Sequence, residues 1–186
     1  MVSDPQDKIS AMADKICVAL AAAQFTLWTL EAIHNESKKQ PEVDSKRPLM
    51  MEQIWRGLFD RLYIKIGSVI ESSAGAANLS NLRLLGLKEL HGDKESCEEI
   101  DKAYKELKAF EGIRKWRNKV VAHSDAKFDA TSFHAMHKMH VSQYQSVIDR
   151  LFDVLNTISF LTTSKVYVRP TFFDLYAREA EQLYRK

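Results

Sequence analysis

Within the stretch KWRNKVVAHSDAKFD, Lys115 to Asp129, Arg117 and His123 are separated by five intervening residues. An imidazole titrating near neutrality can take or return a proton, and a guanidinium can stabilise charge that grows on phosphoryl oxygens. Together such a pair can form two halves of a phosphodiester-cleaving site. The same two residue types can equally be an ordinary surface pair, and their place on the helix bears on which reading holds. On a regular helix Arg117 falls four residues after Ile113, seven after Phe110 and four before Val121, on the apolar stripe. A guanidinium there is costly unless it is paired, reaches a cleft or faces another subunit. His123 is displaced from it by about a third of a turn and shares a face with Trp116 and Lys119. The plainer reading of His123 is a helix C-terminal cap, where a partly protonated imidazole is favoured.

The elements that must position these two residues are helical. Ile9, Met12, Ala13, Ile16, Leu20, Ala23, Leu27 and Leu30 recur at helical spacing, with Asp4 as N-cap and Pro5 at the first helical position. NESKKQPEVDSKRP reads as an exposed linker. Pro48 opens a second helix carrying Ile54, Leu58, Leu62, Ile66 and Val69 up to a break near Gly75. NLSNLRLLGLKEL is a short helix between glycines. Ser96 followed by Glu99 has the form of a capping box, from which Ile100, Ala103, Leu107, Phe110 and Ile113 run as one face of a third helix into the Arg117 stretch. A fourth helix starts near Asp129 or Thr131, carries Phe133, Tyr144, Ile148, Leu151, Leu155 and Ile158, and ends near Thr163. After a briefly extended KVYVRP, Thr171 and Asp174 cap a last helix carrying Phe172, Tyr176 and Leu183. No alternating strand pattern of useful length appears. The fold class is therefore all-α, an up-and-down bundle built on the third and fourth helices.

Composition narrows the function classes. A chain of 186 residues, 45% hydrophobic, supports one domain over residues 1–186. Twenty-seven Lys and Arg against twenty-five Asp and Glu leave a formal charge of +2, so nucleic-acid binding must come from a local patch. Cys17 and Cys97 lack metal or redox spacing and read as buried free thiols. The longest apolar segment, ICVALAAAQF, falls short of the length that spans a bilayer, so a cytoplasmic protein without a membrane partner is expected. P-loop, dinucleotide-binding, GxSxG and HExxH patterns are absent.

The segment RNKVVAH, Arg117 to His123, resembles the R-x4-6-H motif of the HEPN superfamily, including the polar residue after the arginine, here Asn118. The wider RKWRNKVVAHSD, Arg114 to Asp125, resembles the abortive-infection AbiU-type branch. The resemblance implies a HEPN-like bundle of long antiparallel helices and a ribonuclease that needs no metal or other cofactor. It implies a homodimer with motif residues of both subunits lining one cleft, and an antitoxin or regulatory protein as a further partner. RNA is the implied substrate, in phage defence or a stress response. His123 would withdraw the 2′-OH proton or protonate the 5′ oxygen, Arg117 would stabilise the phosphorane, and a 2′,3′-cyclic phosphate would remain. Asn118 would orient the phosphate or the imidazole, while Arg114, Lys115 and Lys119 would hold the RNA backbone. Asp125 either orients His123 or caps the turn. A non-catalytic HEPN-like module that binds RNA or protein is the alternative, and a chance match on an unrelated bundle is a third reading.

Two further groups have competing readings. His134, His137 and His140 follow one another at i, i+3 steps, which can converge on a metal. They drift around the helix with no carboxylate among them, so packed or interface histidines are the better account. Trp28, Trp55 and Trp116, with Phe59, Tyr63 and Phe110, read as core.

Overall fold

The computed structural model describes residues 4–110, 113, 141–171 and 173–184. Its helices are α1 (Pro5–Lys39), α2 (Pro41–Lys46), α3 (Pro48–Ile70), α4 (Leu79–Glu89), α5 (Lys94–Lys105), α6 (Val141–Thr163) and α7 (Phe173–Tyr184), with a 3-10 turn over Glu106–Phe110. Among the described residues there is no strand, and the architecture is an all-α bundle.

Helix α1 forms where the apolar spacing places it. Asp4 accepts a hydrogen bond from the Gln6 backbone N–H at 3.0 Å, and Pro5 occupies the first turn where its missing donor is harmless. The stripe from Ile9 through Leu30 is buried apart from the partly buried Met12. α1 is the axis of the bundle, packing against α3, α4, α6 and α7. At 35 residues α1 is the longest described element and has apolar positions enough for several neighbours. Its direction relative to them follows from side-chain pairs. His34 meets Trp55 of α3 and Gln24 meets Gln145 of α6, while Asp14 meets Tyr167 just beyond the end of α6. α1 therefore runs antiparallel to α6. Ala32 and Ile33 cluster with Met51 at the start of α3, so α3 is antiparallel to α1 as well.

The stretch expected to be a linker is mostly helix. α1 continues through Lys39, and Pro41 opens the six-residue α2, whose Val43 is buried. The polar residues there have internal partners that the sequence did not show. The Asp44 carboxylate accepts from Ser37 of α1 and, at 2.8 Å, from the Tyr184 hydroxyl of α7. Burial of Tyr184 and this bond to Asp44 push its phenol well above the ordinary tyrosine range. Val43, Met51, Ala180, Tyr184, Ala32 and Ile33 form a second, smaller core around that bond.

Three other expectations change. The cap of α5 is Asp93, which accepts from the Ser96 N–H at 3.1 Å and the Ser96 hydroxyl at 2.6 Å, so the helix starts before the expected Ser96–Glu99 box. The third helix is not uniformly α-helical: it tightens at Glu106–Phe110, although Ile100, Leu107 and Ile113 are buried as its face requires. On α7, Leu183 is 47% exposed, and Ala180 and Tyr184 face the core instead. Cys17 and Cys97 are free and half-buried. By length and composition α1 could cross a membrane, although half of its most apolar window is buried inside the protein. The apolar segment alone did not show this because a span of that length tolerates a few charges.

Gly86 shows how closely α4 meets α6. A Cβ there would lie 3.2 Å from the Ile158 and 3.3 Å from the Thr162 γ-methyl. Those two methyls sit one turn apart on α6, and the Thr162 hydroxyl is held on the Ile158 carbonyl at 2.7 Å, so neither can swing aside.

Candidate functional site

Arg117, His123 and Asn118, with Arg114, Lys115, Lys119 and Asp125, lie outside the described residues, as do His134, His137, His140 and Trp116. What the structure gives is the frame on either side of them. Upstream, the 3-10 turn is fixed by Leu107, 4% exposed, and by Glu106, whose carboxylate meets the Arg150 guanidinium of α6 at 3.2 Å. Ile113, helical and 4% exposed, belongs to the same core cluster. Downstream, α6 enters that cluster through Tyr144, Val147 and Ile148. The two flanks of the motif-bearing segment are thus anchored in one core, and Glu106–Arg150 ties them across the surface.

Two polar contacts fix the start of α6. The Tyr144 and Tyr63 hydroxyls are bonded to each other in a buried edge-to-face pair with ring centroids 5.8 Å apart. Burial raises both phenols; the shared bond opposes this for Tyr63 and reinforces it for Tyr144. Both stay neutral at physiological pH, so the pair is a fastener and supplies no base. Phe59 lies against Tyr144 at 6.2 Å and Trp55 stacks on Phe59 at 6.1 Å, which extends the aromatic row along α3.

The second contact is an amide pair. Gln24, 2% exposed, donates to Gln145 at 2.6 Å and accepts from it at 2.9 Å, while Gln145 also donates to Asp149 at 2.9 Å. Asp149 in turn accepts from Arg169 at 3.0 Å, and Arg169 also reaches Asp153. The segment after α6 folds back along it through a mutual clasp: Tyr167 N–H donates to Asn156 at 2.7 Å and Asn156 donates to the Tyr167 carbonyl at 3.1 Å. The Tyr167 hydroxyl then reaches Asp14 of α1 at 2.6 Å. Gln24, Gln145 and the Asn156–Tyr167 clasp were not singled out from sequence; the one visible signal was a glutamine amid the apolar positions of α1.

Among the described residues no group of three or more His, Cys, Asp or Glu side chains could hold a metal ion. An open groove of about 350 Å³ follows α5, lined by Lys94, Cys97, Glu98, Asp101, Lys102 and Lys105. Its charges are of both signs, and Asp101 is already engaged by Arg83 at 2.7 Å.

An all-helical bundle whose core clamps both flanks of an Arg-x5-His segment defines the class of protein to compare. The HEPN AbiU2 family model matches residues 6–183, and the chain belongs to that family. The match runs from the first turn of α1 to the last of α7, and carries an abortive-infection, HEPN-type character. No curated protein and no solved structure matches the chain.

Proposed function

We propose that this protein is a metal-independent endoribonuclease of HEPN type that acts as a cytoplasmic homodimer in phage defence or a toxin–antitoxin stress response. The observation that carries the reading is the Arg117-x5-His123 motif within a chain that matches the HEPN AbiU2 model almost end to end. His123 serves as the proton-transfer group for 2′-OH attack, and Arg117 stabilises the phosphorane. Asn118 orients the phosphate or the imidazole. Arg114, Lys115 and Lys119 hold the RNA backbone, and Asp125 orients His123. The residues 1–186 act as one HEPN-like domain, and an antitoxin or regulatory protein restrains it.

The test is RNA cleavage in the presence of EDTA by the parent, Arg117→Ala and His123→Ala chains, with analysis of the product ends. Cleavage leaving 2′,3′-cyclic phosphate, reduced at least ~100-fold in each variant while the helical circular dichroism is kept, is the expected result. Equal cleavage by all three chains would overturn the residue roles. Absence of cleavage over a broad RNA panel would leave a non-catalytic RNA-binding or protein-interaction module.

A further inference from the structure

Gly57 lies in the middle of α3, exposed, and a Cβ built on it would meet nothing within 4 Å. Glycine weakens a helix interior relative to alanine, and among the described residues no contact requires one here. Two turns on, Ile64 is 39% exposed. By helical period Gln53, Gly57, Asp60, Arg61, Ile64 and Ser68 share one face, opposite the one that Leu62 and Ile66 bury. Along its centre run the glycine and the isoleucine; Asp60 flanks it on one side and Arg61 on the other.

We propose that this face of α3 is the seam on which a second copy of the chain docks, its α3 parallel to the first and related by a two-fold axis. The occupant follows from the charges. A two-fold axis along the helices places the Asp60 flank of each copy beside the Arg61 flank of the other, so the opposite charges meet twice. An antiparallel pairing would set Asp60 against Asp60 and Arg61 against Arg61. At the centre the two Gly57 residues let the backbones approach, and the two Ile64 side chains bury each other. Asp60 fits this arrangement for a second reason: it is half-buried, and desolvation raises its carboxyl despite Arg56 one turn away. A facing guanidinium offsets that penalty. The inference rests on the homodimer reading above and adds the surface and the relative orientation.

Sedimentation equilibrium of the full chain tests it. The parent is expected to dimerise. Gly57→Leu, which improves helix propensity while holding the backbones apart, and Arg61→Glu, which sets like charges together, are each expected to raise the dissociation constant ~10-fold or more. The double exchange Asp60→Arg with Arg61→Asp restores the pairing and is expected to return most of the affinity. A monomeric parent would overturn both the homodimer and the seam. A dimer unaffected by Gly57→Leu and Arg61→Glu would overturn the seam alone, as would a double exchange no better than Arg61→Glu. Cleavage of RNA is read separately, so loss of the seam and loss of the ribonuclease assignment are independent results.

Discussion

The buried hydroxyl pair of Tyr63 and Tyr144 is a residue-scale device whose energetics can be separated cleanly. Removing one hydroxyl leaves the other desolvated without a partner, whereas removing both leaves two phenyl rings in the same packing. Tyr144→Phe is expected to lower unfolding free energy by about 1–3 kcal/mol, and Tyr63→Phe with Tyr144→Phe to recover most of the loss, as measured by urea denaturation of the four chains of the cycle. Additive losses would contradict this account. Each tyrosine was legible as a core aromatic at helical spacing. Their pairing across 81 positions was not, because periodicity reports which face a residue occupies and says nothing about which distant face it meets.

At the scale of elements, α5 depends on Asp93. The hydroxyl and backbone N–H of Ser96 hold its carboxyl below the usual carboxylate range. The folded value lies under the unfolded one, so in the window between them the unfolded chain binds more protons and stability rises with pH. The cap's contribution is full above the unfolded carboxylate pKa and is lost as the pH falls through the folded one. Asp93→Ala is expected to melt below the parent at neutral pH, with the two curves converging in acid; a gap independent of pH would show that the charge plays no part. The helices α1, α3, α4 and the end of α6 could be read from their caps and stripes. The true start of α5 could not, because Ser96 and Asp93 both have cap chemistry three residues apart and only the backbone geometry selects between them. The supposed linker after α1 hid a helix for a related reason: the partners of Ser37 and Asp44 include Tyr184, which is 140 residues from Asp44.

On the scale of the whole molecule, α7 completes the second core. Truncation before Phe173 removes Ala180 and Tyr184 from Ala32, Ile33, Val43 and Met51 and leaves Asp44 without the Tyr184 hydroxyl. The truncated chain is expected to bind a hydrophobic dye and to melt well below the parent; an unchanged melting temperature would mean that α7 is only a surface attachment. The all-α class and the HEPN resemblance were both legible, the first from periodicity and the second from a dozen residues around Arg117 and His123. The axial role of α1 was not legible, because the length of a stripe does not say how many helices will share it.

That axial role has a consequence for synthesis. The stripe on α1 is translated well before α6 and α7, which cover much of it. At about 5–20 residues per second, the apolar face of α1 waits on the order of ten seconds for those neighbours. During that interval the nascent chain cannot close the bundle and offers a sticky helix to chaperones or to other chains. Whatever chemistry the folded bundle performs, its onset is timed by the arrival of α6 and α7.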